Sequence, residues 1–300
     1  MSGPKTDFLS KLGSRLVIGL PMFWLLLFFL VPFLVVLQVS LADLRLAQPP
    51  FTPIFEWLDG IPSYVGDLEN YEFLFSDDLY IRSYLNSVKI AFISSLACLI
   101  VGYPIAYVIA RADDALRNTL LLLVILPFWT SSLLRIYALI GMYSPTGFIN
   151  SWLISFGLIS EPIQLMQTDF AVYSGIVITY LPLMVLPLYA ALQKLDEDLL
   201  EASADLGAGP LKTFWQVTLP LSLPGILAGC LLVFIPAVGE YIIPALLGGS
   251  GQLMIGKTLW TEFFNNRDWP LASAVAMVML AVLVIPMMLL RNAQSQEGRS

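Results

Sequence analysis

The chain has 300 residues, of which 58% are hydrophobic and 12% charged, whereas soluble domains carry roughly 25% charged residues. Fifteen Lys and Arg stand against 22 Asp and Glu, a net charge of −7, and there is no His. The acidic balance argues against a nucleic-acid partner, and the missing His removes the commonest general base and metal ligand. Several apolar runs reach the ~20 residues that a helix needs to cross a bilayer, and barrel-like alternation is absent. Backbone groups in lipid must be satisfied within the segment, so the expected fold is all-α and polytopic. Cys98 and Cys230 fall inside apolar runs without metal-ligand spacing and read as small hydrophobes.

Six spans are predicted in chain order, at 16–41, 82–110, 119–143, 171–192, 221–247 and 271–290. A short N-terminal segment, 1–15, precedes them. An acidic loop, 42–81, separates the first span from a core over 82–292, and a tail over 293–300 closes the chain. The first run is preceded by Lys5, Lys11 and Arg15, as in a signal peptide. Its apolar stretch is too long and lacks a small-x-small cleavage site, so a retained helix is expected.

Lys and Arg set the orientation. With a cytosolic N-terminus, the inner segments hold Lys5, Lys11, Arg15, Arg111, Arg117, Lys194, Lys212, Arg291 and Arg299. The outer segments hold only Arg45, Arg82, Lys257 and Arg267. Both termini are therefore expected inside. The outer 42–81 loop carries Asp43, Glu56, Asp59, Asp67, Glu69, Glu72, Asp77 and Asp78, with Trp57, Tyr64, Tyr71 and Phe73. It reads either as a solvated loop with interfacial aromatics or as a platform for an extracytoplasmic partner or a cation, since one-sign surfaces concentrate the opposite sign.

A polar segment, 196–220, lies between the fourth and fifth spans on the expected cytosolic side. It places Asp196, Glu197, Asp198, Glu201 and Asp205 within ten positions. Leu199 to Leu206 has helical spacing, Gly207 to Pro210 predicts a turn, and Leu211 to Val217 predicts a second amphipathic helix ending near Pro220. Leu199, Leu206, Leu211, Phe214 and Trp215 would fill a groove on a partner, or lie on the membrane surface. The acidic polar face disfavours the membrane surface, where Lys and Arg are preferred.

This segment resembles the signature of the membrane subunits of bacterial ABC importers: Glu-Ala-Ala, three residues, Gly, nine residues, Ile-x-Leu-Pro. Here Glu201-Ala202-Ser203, Gly207 and Val217-Thr218-Leu219-Pro220 keep the spacing, with Ser203 and Val217 as departures. The resemblance implies a coupling helix that docks on an ATPase subunit through Glu201, Ala202, Asp205, Gly207, Leu211, Phe214 and Pro220. Over nearly its whole length the chain looks like the permease subunits of polyamine importers, the putrescine member most of all. Leu126-Pro127-Phe128-Trp129-Thr130-Ser131, Phe234-Ile235-Pro236-Ala237-Val238-Gly239-Glu240 and Asn266-Arg267-Asp268-Trp269-Pro270 carry that likeness. It implies a bacterial inner-membrane heterodimer with a second permease, two ATPase subunits holding ATP and Mg, and a periplasmic polyamine-binding protein, with no cofactor on this chain and membrane lipid around it.

Gly251 to Thr258 matches the phosphate-loop pattern GxxxxGK[ST] letter for letter. Such a loop should follow a buried strand and face ATP. This one follows an apolar span on the expected outer side, so nucleotide binding is not expected here.

Lys89, Arg135 and Glu240 fall inside predicted spans, where charge is expensive and usually paired or turned to a cavity. Two readings stand. Either Arg135 or Lys89 pairs with Glu240 to orient helices, or Glu240 meets a cationic substrate while Lys89 and Arg135 tune the path. Trp129, Tyr137, Tyr180 and Tyr241 are candidate aromatic faces for ammonium groups, or simply packing. Prolines in all six spans predict kinks, and Pro236, Gly239 and Pro244 predict an irregular segment around Glu240. Gly225 and Gly229 form a GxxxG that permits close helix approach. The rival function is an ion-coupled carrier with Glu240 as its coupling site, but it would need no acidic docking segment, and the internal repeats of such carriers are not found.

Overall fold

The computed structural model of the protein describes residues 17–53, 55–58, 61–249 and 251–297. Lys5, Lys11, Arg15, Asp59 and Arg299, used for the charge reading, lie outside the described residues. The helices are α1 (Val17–Ser40), α2 (Glu69–Ser76), α3 (Asp78–Arg111), α4 (Asp114–Trp129, its last turn 3₁₀), α5 (Ser132–Tyr143) and α6 (Phe148–Ser155). They continue with α7 (Asp169–Leu192), α8 (Glu197–Asp205), α9 (Pro210–Leu221), α10 (Leu223–Val238), α11 (Ile242–Leu246), α12 (Ile255–Trp260) and α13 (Trp269–Glu297). One antiparallel hairpin, β1 (Phe55–Leu58) with β2 (Ile61–Tyr64), interrupts the helices and pairs Phe55 with Tyr64. The expected acidic loop therefore contains a hairpin and a helix.

Among the described residues, α1, α3 and α7 are each long and apolar enough to cross a bilayer, and α13 has a shorter apolar stretch, Trp269–Val284. The expected third and fifth spans are corrected. The third consists of two helical arms, 114–129 and 132–155, meeting at 93°. Pro127 cannot donate a helical bond, and the chain closes a 3₁₀ turn on its carbonyl before Thr130 and Ser131 run extended. The fifth starts at Leu223, at 65° to the preceding helix Pro210–Leu221, and breaks after Val238. Pro104, Pro182 and Pro187 lie inside helices that continue through them.

The chain forms two compact units. The first comprises Met1–Asp78 and Leu259–Ser300. In it, residues 17–32 of α1 are exposed on every side, as suits a helix surrounded by lipid, while its end packs on α13. Asn70 on α2 donates to the carbonyls of Ser40 and Ala42, and Tyr71 bonds the Ser40 hydroxyl, latching α2 to the end of α1. The Asn266-to-Pro270 stretch forms a turn. Arg267 has φ 58°, Asp268 accepts from the Leu271 N–H at 3.0 Å, and Trp269 stacks on Phe263. Burial pushes the Asp268 carboxyl above its ordinary range, helped by nearby Glu262 and opposed by the Leu271 bond.

The second unit, Leu79–Thr258, holds the core. Cys98, Tyr103, Ala106 and Ile109 of α3 bury against Met184, Val185, Leu188 and Leu192 of α7 and Ile226 and Val233 of α10. In lipid such helices associate through close packing, which small residues permit. A Cβ on Gly225 would fall 2.5 Å from the Ala191 Cβ, and one on Gly229 2.7 Å from the Met184 sulfur, so the GxxxG is the face on which α10 meets α7. Both cysteines are free.

Candidate functional site

Residues 196–222 fold as a helical hairpin. Asp196 caps α8 by accepting from the Asp198 N–H, and Gly207, at φ +79°, makes the turn that a side-chain-bearing residue would resist. Pro210 opens α9 at a position where its missing N–H costs no bond. Ser203, a departure from the family's Ala, bonds the Thr213 hydroxyl at 2.9 Å and ties the two helices together. Glu201, Ala202, Asp205, Gly207, Leu211 and Pro220 are exposed. Leu206, Leu211 and Trp215 form an apolar surface beside them, with Leu206 89% exposed. Phe214 is corrected. It turns inward, edge-on to Tyr103 at 5.5 Å between ring centroids, because the partly buried Phe214 packs into the core of α3, α7 and α10.

The intramembrane charges arrange themselves differently from either sequence reading. Glu240 does not sit within a helix but in the break between α10 and α11. Its Oε1 accepts from the N–H groups of Tyr241, Ile242 and Ile243 at 3.1, 3.0 and 3.3 Å. These are the orphan donors at the start of α11, and a carboxylate there also faces the positive end of the peptide dipoles. Its Oε2 accepts from the Tyr180 hydroxyl on α7. Four donors thus hold one carboxylate.

The expected Arg135–Glu240 and Lys89–Glu240 pairs do not form among the described residues. Arg135 reaches the Thr179 carbonyl at 3.5 Å, and its buried Nε has no partner among the described residues. Lys89 is exposed on α3. Three backbone N–H groups and the Tyr180 hydroxyl already occupy the Glu240 carboxylate. Tyr180 thus contributes its hydroxyl rather than its ring face. Trp129 and Tyr137 are exposed on α4 and α5, 81% and 59% respectively, with no hydrogen bond or ring contact to Glu240 among the described residues. Tyr241 contributes its backbone N–H to the cap.

The Gly251-to-Thr258 match is no phosphate cradle. Met254, Ile255, Gly256 and Thr258 are buried. The Ile255 N–H donates to the Ser87 hydroxyl at 2.8 Å, and Thr258 bonds Ser83 and the Met254 carbonyl. A Cβ on Gly256 would collide with the backbone carbonyls of Gly239 and Glu240. The glycine and threonine of the pattern serve a helix packed on the Glu240 break.

Residues that sequence reasoning missed lie on α3: Tyr103, Tyr107 and Arg111 beside the hairpin, and Ser83, Asn86 and Ser87 beside residues 253–258. Their signal was the recurrence at four-residue steps, 83 with 87 and 103, 107 and 111, which puts each set on one helix face. The three stretches carrying the polyamine-permease likeness all fall at helix interruptions: 126–131, 234–240 and 266–270.

Comparisons with known proteins fit this architecture. A family described as "Binding-protein-dependent transport system inner membrane component" matches residues 102–297. The "Spermidine/putrescine transport system permease protein PotB" of Haemophilus influenzae is 40% identical over 276 residues, covering 90% of this chain and 91% of that protein. Its namesake from Escherichia coli K12 is 41% identical over 263 residues, covering 87% and 90%. Among solved structures, a chain of a bacterial ABC transporter "involved in the import of the acidic polysaccharide alginate" superimposes with a TM-score of 0.69 over 97% of this chain and 99% of its own, at 17% identity. That likeness is one of fold. The same fold occurs in an alginate transporter solved "in complex with alginate pentasaccharide-bound periplasmic protein", at a TM-score of 0.68 and 15% identity over 93% of each chain.

Proposed function

Because the chain belongs to the family of binding-protein-dependent transport system inner membrane components, we propose that it is the permease subunit of an ATP-driven polyamine importer. The observation that carries this reading is the 40% identity over nine-tenths of the chain to a permease named for spermidine and putrescine. The fold agrees with it: a multi-pass inner-membrane protein, helical apart from one hairpin, with a structured polar segment that leaves Glu201, Asp205, Leu206, Leu211 and Trp215 exposed.

On this reading a periplasmic polyamine-binding protein delivers substrate, and a second homologous permease completes the path. The hairpin over 196–220 faces the cytosol, as both termini do, and docks on one of two ATPase subunits. Glu201 and Asp205 supply charge for a basic patch on that subunit, and Leu206, Leu211 and Trp215 enter its groove. ATP and Mg are bound and used there, not on this chain. The buried packing of Gly256 and Thr258 supports that division.

Within the path, Trp129 and Tyr137 offer exposed aromatic faces for alkylammonium groups. Glu240 acts from the break, holding its helix start while leaving the Oε2 side, toward Tyr180, as the place where an ammonium group would come closest. The ion-coupled carrier gains nothing from the site, since all the carboxylate's described bonds are internal ones.

The test is uptake in proteoliposomes holding the permease pair, the ATPase and the binding protein encoded with it. Labelled spermidine and putrescine should accumulate only with ATP and binding protein present. Accumulation without ATP would overturn the importer reading. ATP-driven accumulation of some other small cation or solute, with neither polyamine competing, would overturn the substrate class alone.

A further inference from the structure

Among the described residues, every side-chain hydrogen bond that leaves residues 197–222 ends on α3. At the start of the hairpin, Arg111 Nη1 bonds Glu197 Oε1 at 2.8 Å, with the guanidinium 5.8 Å from the Tyr107 ring centroid. At its end, the Tyr103 and Ser222 hydroxyls meet at 2.9 Å, both buried. Between them Tyr107 lines a cavity of about 290 Å³ together with residues of both hairpin helices, Leu200 and Ala204 on α8 and Pro210, Thr213 and Phe214 on α9. Residues 103, 107 and 111 are spaced by four, so they form a single stripe about 12 Å long on one face of α3.

The far part of the same helix holds a second set of contacts. Asn86 donates to the Leu253 carbonyl at 2.6 Å, Ser87 accepts from the Ile255 N–H, and Ser83 bonds Thr258. That 253–258 stretch abuts the carbonyls of Gly239 and Glu240 through Gly256. Ser87 and Tyr103 are about 24 Å apart along the axis of one continuous helix.

We propose that α3 is the arm by which the hairpin acts on the Glu240 break, with Arg111 and Tyr103 as the positioning residues that clamp the hairpin to it. This rests on the importer reading, because it assigns the hairpin's movement to the ATPase. Phe214 and Leu219 also pack on α7 and α10, but the hairpin's side-chain hydrogen bonds to other helices, at both of its ends, go to α3 alone among the described residues, so the directional contacts couple its movement to that helix. Displacement of α3 carries residues 253–258 with it. Gly256 has no side chain to cushion its contact with the break, so the shift is passed to the backbone that presents Glu240.

The experiment uses the complete reconstituted transporter, with two readouts: labelled spermidine uptake, and the ratio of ATP hydrolysis with and without spermidine-loaded binding protein. R111E should lower both by about fivefold, the scale of losing one partly exposed ion pair and meeting repulsion instead. Recovery of the four-component complex and basal hydrolysis should be retained. The exchange R111E/E197R should restore both readouts to within about twofold of wild type. Y103F, which removes only one hydroxyl, should lower the ratio by about threefold. If R111E fails to assemble, R111Q and Y103F carry the decision.

Wild-type ratios in R111Q and Y103F would overturn the proposal. So would an assembled R111E whose defect the exchange leaves unrepaired. A wild-type complex whose hydrolysis ignores loaded binding protein would instead sink the importer reading, and the arm with it.

Discussion

Residues 196–222 and the break at Glu240 are both polar interruptions of an apolar chain, yet they spend their polar groups in opposite ways. In the hairpin, Glu201 and Asp205 are exposed and have no partner among the described residues, beside exposed Leu206, Leu211 and Trp215. In the break, one carboxylate gathers three N–H groups and a tyrosine hydroxyl from its own chain. Charge left without an internal partner is open to solvent or to another molecule. Charge consumed internally marks architecture, because a buried acceptor without donors would cost ~1–3 kcal/mol.

The contrast can be broken most forcefully at Glu201. Glu201→Lys inverts a charge that has no role inside the chain, so the folded protein should be unaffected. ATP-driven polyamine uptake and co-purification of the ATPase should fall by about 30-fold or more, as when one partner of a desolvated charge pair is reversed. Unchanged uptake and unchanged ATPase recovery would mean that the exposed acids are only solvated.

On the other side of the comparison, Gly256→Ala should damage the fold rather than a partner contact. Its Cβ would meet two backbone carbonyls that cannot swing away, an overpacking that costs ~1–3 kcal/mol. The melting temperature of the detergent-solubilised permease should drop, whereas nucleotide-analogue binding to the isolated chain should be absent before and after. A normal melting temperature would mean that α12 is not seated on the break.

Glu240→Gln tests what the carboxylate is for. The amide oxygen still accepts from the start of α11, but the charge and one acceptor are lost, so a destabilisation of ~1–2 kcal/mol is expected. Tyr180→Phe should show a smaller loss at the same place. If Glu240→Gln melts like wild type while polyamine uptake collapses, the residue is a substrate ligand and its capping bonds are incidental.

The hairpin was nearly all legible from residue types, since its signals are local. An Asp cap, a Gly turn and a Pro start lie within fifteen positions, and the predicted helices, 199–206 and 211–217, differ from the observed Glu197–Asp205 and Pro210–Leu221 only at their ends. The bends and breaks of the spans were not all legible in the same way. Apolar length predicts a span but says nothing of its direction, so the 93° turn after Pro127 stayed hidden inside a single predicted span, whereas the irregular segment expected around Glu240 from Pro236, Gly239 and Pro244 is the interruption after Val238. Proline alone does not separate them from Pro104, Pro182 and Pro187, which sit in continuous helices. Glu240, Arg135 and Lys89 were visible as costly charges, but their partners depend on which backbone donors the tertiary fold brings near. The role of Tyr103 and Arg111 was hidden for the same reason, since Ser222 and Glu197 lie 119 and 86 positions away.

The smallest expected effect sharpens the comparison with a matched substitution. Gly207→Ala adds the same methyl group as Gly256→Ala, but at a place where nothing lies within 4 Å of the new Cβ. Only the backbone objects, since φ +79° is disfavoured for a side-chain-bearing residue by ~1 kcal/mol. Gly207→Asn should therefore recover most of the lost stability, because Asn tolerates the left-handed region. At Gly256 the larger Asn should be worse than Ala, because the obstacle there is space. Opposite Asn-versus-Ala orders at the two sites, read from melting temperatures, would separate a turn built for exposure from a contact built for close approach. The same order at both would mean that Gly207, too, is packed against something in the assembled transporter, and the ATPase surface is where that something would be found.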